Sequence, residues 1–161
     1  MELYLLRHAI AEYQRAGAPD SARALTADGR KKLAGVMSLA REAGAAPSLI
    51  LSSPYIRAVE TARIAASELG YQGAIIEIKC LTPDGSPQDV WSEVRENRHE
   101  SGILLTSHEP LLSQLAAYVL QSPALLVAMK KSALLRIDVD PARNVPYGTL
   151  RWMLVPAMAE L

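Results

Sequence analysis

The sequence predicts an α/β fold, a three-layer α/β/α sandwich with a mostly parallel sheet and an antiparallel hairpin at its C-terminal edge. Three observations predict it. Short apolar runs of strand length alternate with stretches whose apolar residues recur at helical spacing. Helix start and stop signals separate them. Towards the C-terminus the rhythm changes to two β-like runs joined by a turn-rich segment.

Leu3-Tyr4-Leu5-Leu6 opens the chain as a buried strand. Thr26 is placed as a helix N-cap, and Leu33, Val36, Met37 and Ala40 mark one helical face, with Gly44 and Pro47 as its stop. Leu49-Ile50-Leu51 is a second strand. Ser53-Pro54 then reads as N-cap and first-turn proline of a helix whose inner face is Val59, Ala62, Ala66 and Leu69, ended by Gly70. Residues 74–78 form a third strand. Ser86-Pro87-Gln88-Asp89 starts a third helix, with Asp89 set to close a capping box and Val90, Trp91 and Val94 facing inward. Ile103-Leu104-Leu105 is a fourth strand, followed by a helix carrying Leu112, Leu115, Ala116 and Val119 and stopped by Pro123. Residues 133–139 and 150–155 supply the antiparallel pair, around a turn with Pro141, Asn144, Pro146 and Gly148.

The 161 residues fit one domain spanning 1–161. A chain of this length buries roughly 68–70% of its unfolded surface, enough for a core. Phenylalanine is absent, so that core is built from Leu, Ile, Val, Ala and Met. Seventeen basic residues balance seventeen acidic ones. That excludes a basic excess of the kind that drives nucleic-acid or membrane-surface binding, while allowing a small positive cluster. Cys80 is the one cysteine, so neither an internal disulfide nor a thiolate metal site is expected. No apolar run reaches the ~18 residues needed to span a bilayer. Residues 1–7 carry no cationic leader, and a cytoplasmic location is expected.

Ligands of parallel α/β sheets bind beyond the carboxyl ends of the strands. The first strand ends in Arg7-His8. The second ends in Ser52-Ser53-Pro54, with Arg57 in the first turn of the next helix. The fourth ends in Thr106-Ser107-His108. Taken singly, each has an ordinary reading: His8 structural, His108 capping a helix, Arg57 paired with Glu60 or a surface aspartate, Arg23 a loop residue. Parallel strands bring the three ends together, and the joint placement favours a site. Guanidiniums and imidazoles suit phosphate oxygens, and helix N-termini add donors. With no carboxylate cluster and no glycine-rich phosphate loop, the pattern points to phosphoryl transfer without metal or cofactor, with histidine as nucleophile.

These residues also carry a resemblance. Leu5-Leu6-Arg7-His8-Ala9 is similar to the signature of the histidine phosphatase superfamily, whose usual form is Arg-His-Gly. Residues 51–62, from Leu51 through Ser53, Arg57 and Glu60 to Ala62, resemble its second motif, and Leu105-Thr106-Ser107-His108-Glu109-Pro110 its third. Ser21-Ala22-Arg23-Ala24-Leu25-Thr26, followed by Gly29, resembles the short SixA-type branch, the phosphohistidine phosphatases. The resemblance implies the phosphoglycerate mutase-like fold. It implies His8 as the nucleophile and Arg7, Arg57 and His108 as groups surrounding the phosphoryl oxygens. Arg23 would be a fourth ligand.

Ala9 stands where the family has glycine, so no strongly positive φ is expected there. Larger relatives use a carboxylic acid to protonate a departing alkoxide. Here the corresponding stretch offers only Asp84, in a turn-like sequence where aspartate is common anyway, and Glu60 is the other carboxylate in question. The imidazole of a phosphohistidine leaves more easily than an alkoxide, so the resemblance favours a phosphohistidine-bearing signalling protein as substrate. The alternatives are a phosphatase of small phosphate monoesters, a mutase, or a phosphate-binding module without turnover. The nucleophilic form of His8 is neutral, and charge repulsion from Arg7 and Arg57 is expected to lower its pKa. His99 and Lys130-Lys131 read as solvated, Cys80 as a small buried residue, and Trp91 and Trp152 as packing.

Overall fold

A six-stranded sheet in the order β3-β2-β4-β1-β5-β6 organises the chain in the computed structural model, which describes residues 1–160. The strands are β1 (Glu2–Arg7), β2 (Leu49–Ser52), β3 (Ile75–Glu77), β4 (Gly102–Ser107), β5 (Leu134–Val139) and β6 (Gly148–Leu154). The helices are α1 (Ala27–Glu42), α2 (Ile56–Leu69), α3 (Pro87–Glu96), α4 (Leu111–Val119) and the short α5 (Pro156–Ala159). Strands β1, β4, β2 and β3 run parallel, whereas β5 pairs antiparallel with both β1 and β6. The predicted α/β sandwich with its C-terminal edge hairpin is the observed fold.

Alternation along the strands builds two cores. Leu3 and Leu5 of β1, Leu49 and Leu51 of β2, and Ile103 and Leu105 of β4 pack with Val90, Trp91 and Val94 of α3 and Leu112, Leu115 and Val119 of α4. The intervening Tyr4, Leu6, Ile50 and Leu104 face α1 and α2, where Leu33, Val36, Met37, Ala62 and Ala65 meet them. Strands buried on both faces read as continuous apolar runs, which is why β1, β2 and β4 were legible. Each fully buried Leu or Ile contributes about 1.5–3 kcal/mol.

Most helix ends follow the sequence signals. The Thr26 hydroxyl accepts from Gly29 N at 2.9 Å, and Ser86 accepts from Asp89 N at 3.1 Å while donating to the Asp89 carboxylate at 2.7 Å. Gly70 closes α2 in the left-handed region at φ 71°. Two ends differ. α4 stops at Val119, before Pro123 is reached. α2 begins at Ile56 after Tyr55, with no side-chain cap, so Ser53 is not its N-cap. The Ser53 hydroxyl is engaged by His108 instead, at 2.8 Å. On α2 the buried face is Arg57, Ala58, Val59, Thr61, Ala62 and Ala65, with Ala66 and Leu69 only half-buried.

One close approach fixes the chain just after β1. A Cβ placed on Gly29 would sit 2.3 Å from the carbonyl oxygen of Ile10. The first turn of α1 therefore rests directly on the backbone two residues beyond His8.

Candidate active site

The three parallel strand ends meet. Arg7 pairs in register with Ser107, and Ser52 with Thr106. The ladder extends one step further: His8 N donates to Ser107 O at 3.0 Å, and Ser53 N to Thr106 O at 2.9 Å. These bonds aim residues 8, 53 and 108 at one point beyond the sheet. His8 and His108 are 5% and 2% exposed, with ring centroids 5.1 Å apart. Arg57, only 3% exposed, reaches in from α2 and its Nε donates to His8 Nε2 at 3.3 Å.

The tautomer of His8 follows from its surroundings. Nδ1 lies 2.8 Å from the Ala9 carbonyl, which can only accept, so Nδ1 carries the proton and Nε2 keeps its lone pair. The Ala9 peptide is held from its other side by Thr61, whose hydroxyl accepts from Ala9 N at 3.0 Å and donates to Arg57 O at 2.7 Å. Ala9 is not among the residues of positive φ. The backbone here needs no glycine.

His8 is held far below its ordinary pKa, at about 3. Burial is the leading cause, with Arg57, Arg7 and Lys131 adding repulsion and the Ala9 carbonyl opposing. The direction expected from the arginines is observed, but desolvation leads. His108 is lowered to about 3 in the same way, by burial first, then by His8 and Arg57. Both imidazoles are neutral at pH 7.

The arginines are fixed differently. Arg7 donates from Nη1 to Met129 O at 2.7 Å. Arg57 is gripped by a residue that the sequence reading did not single out. Its Nη1 donates to the Asp20 carbonyl at 2.8 Å and its Nη2 to the Asp20 carboxylate at 2.9 Å. The other carboxylate oxygen accepts from Arg23 Nε at 2.8 Å. Arg23 thus belongs to the rim of the cluster, through Asp20. Burial works to raise the Asp20 pKa, but hydrogen bonds from Arg57 and then Arg23 outweigh it and keep the carboxyl below its usual range. Asp20 was hidden as one polar residue in a loop; its spacing from Arg23 was the available signal.

Lys131, like Lys130, is exposed, as the sequence reading has it. Its pKa is lowered, by burial first and then by Arg7, Arg23 and Arg57, so its exposed ammonium shares their field. Ser132, at φ 64°, anchors this turn by donating its N–H to the carbonyls of Arg7 and His8 at 3.2 and 3.3 Å.

Glu60 and Asp84 are held in different ways. Glu60 accepts from Leu25 N at 2.7 Å and from Arg30 Nη2 at 2.6 Å, which ties α2 to the loop before α1. Asp84 is exposed and accepts from the Thr82 hydroxyl at 2.7 Å, which holds its pKa below normal. It lines a 660 Å³ cavity with Tyr55, whose ring stands edge-on to His108 at 5.0 Å. Among the described residues no three His, Cys, Asp or Glu side chains form a metal-holding group, and no helix is long and apolar enough to cross a membrane. His99 is exposed beside Glu100, and burial pushes the Cys80 thiol up to about 11.

This arrangement can hold a tetrahedral oxyanion. Arg7 Nε and His108 Nδ1 are buried polar atoms with no hydrogen-bond partner in the chain. Each such atom costs about 1–3 kcal/mol. Arg57 has five N–H groups, of which three are used, leaving one on each terminal nitrogen.

Comparison with known proteins agrees with this geometry. The family model of the histidine phosphatase superfamily (branch 1) matches residues 3–81. An uncharacterized protein of Picosynechococcus sp. strain PCC 7002 is 35% identical over 119 residues, covering 72% of this chain and 71% of the relative. The chain belongs to the histidine phosphatase superfamily. Its fold is that of the solved protein histidine phosphatase SixA complexed with tungstate, at TM-score 0.87 and 24% identity over 98% of this chain and 99% of that one. A candidate SixA phosphohistidine phosphatase of Agrobacterium tumefaciens follows at TM-score 0.83 and 23% identity, covering 96% and 97%. A candidate alpha-ribazole-5'-P phosphatase of Escherichia coli K-12 has TM-score 0.74 and 20% identity, covering 97% of each chain. Superfamily membership supports phosphatase activity on a phosphorylated substrate.

Proposed function

We propose that this chain is a metal-independent, cofactor-free phosphatase that carries phosphoryl on Nε2 of His8 and removes it from phosphohistidine of a signalling protein. The observation that carries the reading is the pairing of His8 Nδ1 with the Ala9 carbonyl at 2.8 Å, which leaves Nε2 unprotonated beside Arg57.

In the first step Arg57 Nε gives up its contact with Nε2, and the freed Nε2 lone pair attacks phosphorus. The new P–N bond forms as the substrate's P–N bond breaks, and the substrate imidazole, already protonated on its other ring nitrogen, keeps the bond pair and departs neutral. Arg7, Arg57 and His108 hold the phosphoryl oxygens, with Arg23 at the rim. Water then attacks phosphorus, the His8 P–N bond breaks, and inorganic phosphate leaves with the remaining proton released to solvent. Positioned donors of this kind are worth about 3–4 kcal/mol each in the barrier.

Asp84 supports the choice of substrate. A carboxyl whose pKa is lowered by the Thr82 hydrogen bond is a poorer acid for an alkoxide, whereas an imidazole protonated on its ring leaves without one. The direct test compares turnover of a phosphohistidine-bearing domain with that of a small phosphate monoester. Faster turnover of the domain is expected, and faster turnover of the monoester overturns the substrate assignment. Chelator is expected to leave the rate unchanged. Labelled phosphate is expected on the wild-type chain and not on His8→Ala; no label on either favours a binding module without turnover.

A further inference from the structure

Asp20 is unusual among the groups around His8 because it is an anion in a site built for anions. Simple electrostatics makes it a liability. A carboxylate beside the phosphoryl pocket repels the incoming charge and competes for the same guanidiniums. The contacts indicate the opposite role.

Arg57 brings a nearly fully buried cation to the end of a sheet, and such a charge is costly without a hydrogen-bonded partner. Its guanidinium has three ways to be held, and Asp20 supplies two of them from a single residue: main-chain carbonyl at 2.8 Å and carboxylate at 2.9 Å. The third is His8 Nε2 itself, at 3.3 Å, a long contact that cannot fix the plane alone. The remaining carboxylate oxygen binds Arg23 Nε at 2.8 Å, and Arg23 Nη1 donates to Glu12 O at 3.2 Å. Asp20 stands on a short 3-10 turn, Asp20–Ala22, closed by Arg23 N donating to Asp20 O at 3.3 Å. The far end of the same loop is pinned to α2 by Glu60 through Leu25 N. The loop is thus clamped to α2 at two points one helical turn apart, Arg57 and Glu60.

Resting on the phosphatase reading above, we infer that Asp20 is a positioning residue, whose carboxylate sets the plane of Arg57 against His8 and draws Arg23 to the same oxyanion. Its own charge is offset by the two arginines it joins. The outer N–H of each Arg57 terminal nitrogen stays free for phosphoryl oxygens, and Arg23 keeps Nη2 free. Misplacement of a guanidinium by about 1 Å is enough to cost ~10²-fold in rate.

The two readings of Asp20 differ in sign. Orthovanadate and inorganic phosphate binding are measured calorimetrically on wild type, Asp20→Ala and Asp20→Asn. A positioning role predicts that removing this negative charge weakens anion binding, by ~10-fold for Asp20→Ala, with Asp20→Asn intermediate because its amide oxygen retains one acceptor. It predicts a fall in kcat of ~10²-fold for Asp20→Ala, larger than the change in KM. Tighter or unchanged vanadate binding in either variant overturns the inference. So does a lowered melting temperature with kcat per folded molecule unchanged. If Asp20→Ala does not fold, Asp20→Asn decides by the same signs. A ligand-free arm separates this inference from the phosphatase reading. The Arg57 Nε–H resonance in nitrogen-15 spectra is expected to be sharp in wild type and broadened by exchange in Asp20→Ala. A resonance unaltered by the substitution sinks the positioning role, whatever the wild-type chain turns over.

Discussion

The two ends of the parallel strands differ in how their buried polar atoms are held. At the amino ends of β1, β2 and β4, polar groups are closed against one another. Ser48 Oγ alone donates to Gly102 O at 3.1 Å and accepts from Ser101 N and Gly102 N at 3.1 and 3.3 Å, while Glu2 N donates to Ser101 O at 2.9 Å. At the carboxyl ends, Arg7 Nε, Thr106 Oγ1, His108 Nδ1 and Ser132 Oγ are buried without partners. The same strands carry both ends through one apolar middle. Among the described residues five buried side-chain polar atoms lack a partner. Four stand at the carboxyl ends and one, Arg95 Nε in the last turn of α3, lies apart from them. The concentration at the carboxyl ends is what suits a group arriving from outside.

The sharpest break of that comparison is His8→Ala, which is expected to reduce turnover by roughly 10³-fold or more and to abolish the phosphoenzyme, measured by label trapping. A phosphorylated His8→Ala protein defeats the assignment. Arg57→Ala is expected to cost about 10²–10³-fold in kcat. Arg57→Lys should not restore it, because a point charge cannot reproduce contacts from three nitrogens to His8 and Asp20. Full rescue by lysine reduces Arg57 to a simple charge.

Acid sharpens the contrast in stability. His8 and His108 have folded pKa values of about 3, below the ordinary 6.5, so between those values the unfolded chain binds protons that the folded chain does not. Stability therefore rises with pH across that window and is lost as pH falls through it, by on the order of a few kcal/mol. Denaturant midpoints at pH 7, 5.5 and 4 measure the slope, and His8→Gln is expected to flatten it. At the opposite end of the strands, Ser48→Ala is expected to cost about 1–2 kcal/mol in unfolding free energy while leaving kcat unchanged. A loss of turnover there means that the two ends are coupled.

How much of this was legible depended on whether a residue's role is local. Thr26, Gly70 and Ser86 act on neighbours within a few positions, and the sequence places all three correctly. The convergence of Arg7, His8, Arg57 and His108 is not local, yet parallel topology alone predicts it. Asp20 escaped notice because its partner Arg57 lies 37 positions away and on no shared strand. Ser53 was misread for a related reason. A serine before proline ordinarily caps a helix, and only the fold reveals that a histidine 55 residues downstream holds its hydroxyl. Lys131 is the exposed turn lysine it reads as, but the Ser132 anchor that ties its turn to the carbonyls of Arg7 and His8 joins residues more than 120 positions apart and is not legible locally. The lowered pKa of His8 was foreseen in direction, but its leading cause is depth of burial, which composition cannot report.

Gly29 carries a consequence for sequence variation. By helix propensity, replacing a glycine inside α1 with alanine should gain about 0.8–1 kcal/mol. The added methyl would instead collide with the main chain at Ile10, 2.3 Å away, and push the segment that bears His8. A substitution favourable by helix propensity would then shift the setting of His8 while Arg7, His8, Arg57 and His108 themselves stayed unchanged. Inherited or engineered changes at position 29 should be judged by the nucleophile's alignment rather than by helix content.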